Sequence, residues 1–138
     1  MDPQLVADLR KFYPELALTI ALLAVVTVDL GLSKVRRLAA LGLTALGLIA
    51  AFSLSVPLFW APEGASFFGM VALDRMAVFF KCFLILTSLV VLFAALASRE
   101  FSRSHLGEFY ALLLGVTLGM LLLSSAVDLL MLFLSLEM

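Results

Sequence analysis

Four apolar segments, each about twenty residues long, are the feature of this sequence that most restricts its fold. They cover approximately residues 14–32, 38–59, 74–97 and 108–126. A helix of about 20 residues crosses a hydrocarbon core of about 30 Å. With 64% hydrophobic and 14% charged residues, a soluble domain of this size could not cover its apolar surface, because it would still expose about a third of its unfolded area. The sequence therefore predicts an all-α, polytopic transmembrane helix bundle.

A fifth apolar run, residues 128–138, reaches the last residue of the sequence. It supplies about half of the length that a crossing requires. A chain end at that depth would leave a carboxylate and unpaired backbone carbonyls in lipid. We therefore expect residues 1–138 to be the N-terminal membrane segment of a longer protein, with four complete membrane helices and the first half of a fifth.

The Lys and Arg residues of the loops predict an orientation. The loops after the first and third segments hold five of them: Lys34, Arg36, Arg37, Arg99 and Arg103. The opposite side holds three: Arg10, Lys11 and Arg75. The side richer in Lys and Arg is normally cytoplasmic, so the N-terminus is expected outside. No signal-peptide cleavage pattern is present, so we expect the first segment to be retained.

Local signals mark the ends of the first two segments. Pro14 suits the first turn of a helix, and Glu15 suits the positive end of the helix dipole. Trp60 follows the second segment and is expected to anchor at the membrane interface. Gly42 and Gly47 would let a neighbouring helix approach the second segment closely.

Glu137 is the main candidate for a functional residue. If the fifth helix begins at Asp128, a rise of 1.5 Å per residue places Glu137 roughly 13 Å deep in the membrane. A carboxylate at that depth must bind a proton or lie beside a cation, which is the chemistry of proton or cation transport. A neutral glutamic acid that is hydrogen-bonded to a neighbouring helix is the structural alternative.

Lys81 is a weaker candidate for proton translocation. It lies about two turns inside the third segment. Its ammonium could reach the nearer interface, or it could belong to a buried polar pathway. Both interpretations remain open from the sequence.

Two aspartates at the ends of segments are expected to be structural. Asp29 could pair with Lys34 or Arg36 across the loop that follows it. Asp128 begins the fifth run, where a carboxylate can cap free N–H groups and suits the helix dipole.

Other functional classes have no support in the sequence. Cys82 is the only cysteine and lies among phenylalanines, so we interpret it as a packed residue. His105 is the only histidine and is expected to be solvated in a polar loop. We find no cluster with metal-ligand spacing, no catalytic nucleophile with a base, and no basic–aromatic pattern for nucleic acid.

Several motifs along the chain resemble a known family. They are 14–16 (PEL), 28–30 (VDL), 74–81 (DRMAVFFK), 107–114 (GEFYALLL), 118–120 (LGM), 124–130 (SSAVDLL) and 134–137 (LSLE). Together they resemble subunit N of NADH-quinone oxidoreductase, an antiporter-like membrane subunit of bacterial respiratory complex I. Sister antiporter-like subunits share the glutamate that matches Glu137.

The resemblance implies a role in proton translocation coupled to electron transfer from NADH to quinone. In the family the matching glutamate pairs with a lysine on helix seven and modulates its proton affinity. The resemblance also implies that the chain itself binds no cofactor, and that NADH, FMN, the iron–sulfur clusters and the quinone belong to other subunits. The expected partners are the lipid bilayer and other membrane subunits, especially sister antiporter-like subunits. The expected location is the inner membrane, with a periplasmic N-terminus.

Two alternatives remain from the sequence. One is a subunit of a multisubunit cation/proton antiporter, in which no redox chemistry is coupled to transport. The other is a small four-helix scaffold protein with no transport function.

Overall fold

The computed structural model describes residues 11–31, 36–61, 64–66, 71–97 and 106–138. Its helices are α1 (Tyr13–Gly31), α2 (Arg36–Ser55), α3 (Arg75–Ala97), α4 (Leu106–Ser125) and the short α5 (Leu129–Glu137). The first four are long and apolar enough to cross a membrane. The predicted all-α bundle of four membrane helices and a shorter fifth is therefore confirmed.

The four long helices form a bundle in which each helix has defined neighbours. Helix α1 packs against α2 and α4, and helix α3 packs against the same two. Helices α2 and α4 also contact each other, whereas α1 and α3 share no comparable interface. Helices α1 and α3 therefore lie at opposite corners of the bundle. The short α5 packs against α4.

The core of the bundle is apolar, and so is much of its outer surface. The largest fully buried apolar side chains include Leu18, Leu48, Ile85, Leu92 and Leu114. Large apolar side chains are also exposed on every long helix, for example Ile20, Leu46, Val90 and Leu112. An apolar exterior is costly in water but suits a lipid solvent, so this pattern agrees with a membrane location.

The connection between α2 and α3 differs from the continuous helix and loop that we expected. Helix α2 ends at Ser55, and a 3-10 turn continues from Val56 to Trp60 with Pro57 in its first turn. Pro57 cannot donate a backbone hydrogen bond to the preceding turn, which accounts for the early end of the α-helix. Trp60 is exposed, as an interfacial anchor should be.

A small antiparallel hairpin follows this turn, in the region that we expected to be a loop. Its strands are β1 (Gly64–Ser66) and β2 (Val71–Leu73), and Ala65 pairs with Ala72. Three-residue strands leave too weak an alternating pattern to be recognised in a sequence. The hairpin brings the chain directly to the start of α3.

Small residues set the closest approaches between helices. A Cβ at Gly47 would overlap the Cβ of Ala21, so α1 and α2 are in tight contact at this point. A Cβ at Gly119 would lie 3.2 Å from the backbone oxygen of Ser135, so α4 and α5 also approach closely. By contrast, Gly42 has open space around the position of a Cβ. Among the described residues, a close approach is therefore found at Gly47 and not at Gly42.

A hydroxyl pair joins α3 to α4 inside the bundle. The Oγ of Ser88 lies 2.7 Å from Oγ1 of Thr117, and both side chains are buried. Each hydroxyl is also close enough to donate to the carbonyl one turn earlier on its own helix. Two hydroxyl hydrogens cannot serve three acceptors, so the hydroxyl that donates between the helices gives up its own carbonyl.

Candidate functional site at a buried ion pair

The side chain of Lys81 is buried in the bundle interior. Lys81 is the seventh residue of α3, and its side chain is 1% exposed. Side chains on a helix point toward its N-terminus, so the ammonium lies closer to the start of α3 than its backbone does. That direction is the one expected for a lysine reaching the interface, but the ammonium does not end in solvent. The snorkelling interpretation is therefore wrong for the bundle described here.

The partner of Lys81 is Glu15, in the first turn of α1. The Nζ atom of Lys81 lies 2.6 Å from Oε1 of Glu15, and the glutamate side chain is also 1% exposed. Both residues lie near the N-terminal ends of their helices. Since α1 and α3 cross the bundle in the same direction, these two ends lie on the same side of the membrane.

The geometry is that of an ion pair with an incomplete set of hydrogen bonds. The approach of Nζ to Oε1 lies outside hydrogen-bond geometry, so the two charges meet without a directed hydrogen bond. The second carboxylate oxygen, Oε2, is buried and has no hydrogen-bond partner in the part of the chain that the structure describes. A buried charge costs several kcal/mol to desolvate unless a partner compensates for it. Each side chain is therefore the main compensation for the burial of the other.

The sequence pattern contained a signal for this pair that our interpretation did not use. The helix dipole accounts for Glu15 alone and offers no partner for Lys81. The two residues are, however, an acid in the first turn of one segment and a base about two turns inside another, and the two segments cross in the same direction. Charges of opposite sign at similar depths in a membrane are expected to pair.

Glu137 does not take part in this ion pair. It is the last residue of α5, and it is exposed. Ser135, two residues earlier, is buried and packs at Gly119 of α4. Two residues correspond to a rotation of about 200° on a helix, so Glu137 lies on the face of α5 that is turned away from α4. No ion pair joins Glu137 to Lys81 in the part of the chain that the structure describes.

Asp29 lies at the opposite end of α1, against the start of α4. A Cβ at Gly107 would overlap the Asp29 carboxylate, so only glycine fits there without a shift. The first turn of a helix favours negative charge, which explains why this carboxylate is accommodated at the beginning of α4. The side chains of the expected partners Lys34 and Arg36 lie outside the described residues, so that pairing stays a prediction.

The two aspartates that precede α3 and α5 differ in their capping. The side chain of Asp74 accepts a hydrogen bond of 2.6 Å from the backbone N–H of Ala77. Asp128 occupies the N-cap position of α5, but its side chain makes no capping hydrogen bond. The prediction that the Asp128 carboxylate caps α5 is therefore wrong.

The remaining candidate residues carry no recognisable site. Cys82 is half-buried beside the small cluster of Leu58 and Val78, which agrees with a packing role. His105 lies outside the described residues. Among the residues that the structure describes, no group of three His, Cys, Asp or Glu side chains could hold a metal ion.

Comparisons with known proteins agree with the resemblance in the sequence. No protein-family model matches the chain. It is 37% identical over 128 residues to NADH-quinone oxidoreductase subunit N of Anaeromyxobacter sp. (strain Fw109-5), a match that covers 92% of this chain and 25% of the relative. It is 35% identical over 135 residues to subunit N of Chlorobium chlorochromatii (strain CaD3), covering 96% of this chain and 26% of the relative.

A cyanobacterial relative carries a related name. The chain is 36% identical over 127 residues to NAD(P)H-quinone oxidoreductase subunit 2 of Synechococcus sp. (strain JA-3-3Ab), covering 91% of this chain and 24% of the relative. The predicted resemblance to subunit N is confirmed, and it extends over more than nine-tenths of the chain. The chain spans about a quarter of the length of these relatives.

Proposed function

We propose that this chain is part of a membrane subunit that translocates protons, as its similarity to subunit N of NADH-quinone oxidoreductase suggests. Other subunits of the complex transfer the electrons from NADH to quinone. The names of its relatives over nearly the whole chain carry this proposal. The four long apolar helices support a place in the membrane arm of such a complex.

Within this proposal Glu137 is the residue that takes part in translocation. It lies at the end of α5 on the face turned away from α4, and it is exposed in the described bundle. That face is therefore open to a further helix of the complete protein. A lysine there would stabilise the carboxylate as an anion.

The mechanism is electrostatic. When the lysine partner lies close to the Glu137 carboxylate, its ammonium form is stabilised and the lysine holds its proton. When the two groups move apart, the buried ammonium becomes costly and the lysine releases its proton more readily. Alternation between these two states lets the pair take up and release protons without any cofactor bound to this chain.

The orientation and partners follow from the same proposal. The subunit lies in the bacterial inner membrane with its N-terminus on the periplasmic side, which the Lys and Arg distribution of the loops supports. Its partners are other membrane subunits, among them the sister antiporter-like subunits. NADH, FMN, the iron–sulfur clusters and the quinone are held by other subunits.

The substitution Glu137→Gln in the complete protein tests the role of this carboxylate. We expect it to lower the number of protons pumped per NADH in membrane vesicles, whereas NADH oxidation by the detergent-solubilised complex falls much less. Asp128→Asn is a matched control, because it removes a carboxylate from the exposed start of the same helix. We expect that control to pump normally. Unchanged pumping by Glu137→Gln at a normal level of assembly would refute the proposed role.

The antiporter alternative predicts a different result. A cation/proton antiporter subunit would acidify or alkalinise vesicles in response to a sodium or potassium gradient, with no NADH present. The names of the relatives favour the redox-coupled complex. A cation-dependent pH change without NADH would instead support the antiporter.

A further inference from the structure

The ion pair between Glu15 and Lys81 joins two helices that otherwise share little contact. Helices α1 and α3 lie at opposite corners of the bundle, and each packs mainly against α2 and α4. The glutamate and lysine side chains extend toward each other from these corners and meet in the interior, where both are 1% exposed. The pair therefore links α1 to α3 through the interior of the bundle, near the ends at which both helices begin.

Neither charge has another described partner. Within the described residues, Oε2 of Glu15 has no hydrogen-bond partner, and no second carboxylate forms an ion pair with Lys81. Leu18, one turn after Glu15 on α1, and Val78, one turn before Lys81 on α3, are both buried and apolar. Separation of the two side chains would leave one full charge of each sign in an apolar medium.

Other rotational positions of α1 in the bundle are therefore less stable than the one in the structure. A rotation of α1 about its axis by one residue position, or about 100°, would turn Glu15 away from the interior. Lys81 would then remain buried without its counter-charge. Most apolar side chains of α1 restrict this rotation only weakly, because lipid tails are as apolar as they are. The close contact of Ala21 with Gly47 positions α1 against α2, whereas the ion pair positions it against α3.

We propose that Glu15 and Lys81 are a positioning pair that fixes the docking of α1 against α3 on the side of the membrane where both helices begin. The pair acts as a unit: each residue is required only because the other is present. This role is separate from that of Glu137 and does not rest on the proposed translocation function.

The test uses four variants of the complete protein in its host membrane. They are Glu15→Gln, Lys81→Met, the double variant Glu15→Gln/Lys81→Met and the charge exchange Glu15→Lys/Lys81→Glu. Breaking a buried pair by removing one partner is strongly destabilising, whereas replacing both partners is often neutral. We expect each single variant to shift the unfolding equilibrium about a hundredfold or more, and the double variant by less than about tenfold.

Two measurements report these shifts. The first is the amount of subunit in the assembled complex. The second is the rate at which Cys82 reacts with a maleimide, followed by peptide mass spectrometry. Cys82 is next to Lys81 and half-buried, so opening of this end of the bundle should accelerate its labelling. In the single variants we expect low assembly and fast labelling, and in the double variant and the charge exchange both values should return toward those of the wild type.

Other outcomes would overturn the proposal. Single variants that assemble and label like the wild type would show that the pair does not position α1. A double variant as defective as the single variants would show that each charge is needed for its own sake. A double variant that assembles normally but pumps fewer protons per NADH would assign the pair to transport instead of positioning. The Glu137→Gln result does not affect any of these readouts.

Discussion

The contact between Gly47 and Ala21 leads to a stability prediction that two matched glycines of the same helix can test. In Gly47→Ala the new methyl group would overlap the Cβ of Ala21 and would lie 3.9 Å from its Cα. The Cβ of Ala21 is fixed directly to the backbone of α1, so no side-chain rotation can relieve the overlap. Helices α1 and α2 must therefore move apart where they pack most closely.

The magnitude follows from two opposing effects. Overpacking of a close contact costs about 1–3 kcal/mol. Alanine is more favourable than glycine inside a helix by about 1 kcal/mol. We therefore expect Gly47→Ala to change the free energy of unfolding by between about zero and a loss of 2 kcal/mol.

Gly42→Ala is the control for this prediction. Gly42 lies on the same helix, and no atom of the described residues lies within 4 Å of the position that its Cβ would take. Only the gain in helix propensity remains, so we expect it to stabilise the protein by up to about 1 kcal/mol. Helix propensity cancels between the two variants, and Gly47→Ala should therefore be less stable than Gly42→Ala by about 1–3 kcal/mol.

The assay is a titration of the complete protein in detergent micelles with SDS. Equal midpoints for the two variants would refute the argument, because they would show that the space at position 47 does not limit the approach of α1. A higher midpoint for Gly47→Ala than for Gly42→Ala would refute it more strongly.

Two other local contacts lead to predictions that the same titration can measure. Asp74→Ala removes the hydrogen bond from the N–H of Ala77 and should lower the free energy of unfolding by about 1 kcal/mol. Asp128→Ala removes no side-chain cap and should lower it much less. Equal losses for the two variants would contradict this reasoning. A double-mutant cycle of Ser88→Ala and Thr117→Val should give a coupling energy of about 0.6 kcal/mol, which is typical of hydrogen bonds between membrane helices. Strictly additive losses of stability would show that the hydroxyl pair at 2.7 Å contributes nothing.

The membrane helices were predictable from the sequence because hydrophobic length is a local property. A run such as the one from Leu106 to Ser125 needs no knowledge of the rest of the fold to be recognised as a crossing. The similarity to subunit N was recognisable for a similar reason, since the shared motifs are short and contiguous. The end of α2 required one further local rule, the effect of Pro57 on the helix.

The charged contacts were not predictable in the same way. The pairing of Glu15 with Lys81 depends on which helices share the interior, and the sequence does not specify that arrangement. Asp74 and Asp128 both precede an apolar helix, yet only Asp74 caps with its side chain. The difference lies in side-chain rotamers, which a residue pattern does not encode. The role of Glu137 stays a prediction, because no contact of its side chain within the described residues tests it.

Helix α1 has a carboxylate fixed near each end, and this has a consequence for how its length can vary. Glu15 meets Lys81 at one end, and Asp29 meets the start of α4 at Gly107 at the other. One residue inserted between them would turn the second carboxylate by about 100° and shift it by 1.5 Å relative to the first. Intervening apolar side chains that face lipid can be exchanged for one another, but we expect an insertion or a deletion to break one of the two contacts. The number of residues between Glu15 and Asp29 in helix α1 therefore determines whether the contacts at its two ends can form at the same time.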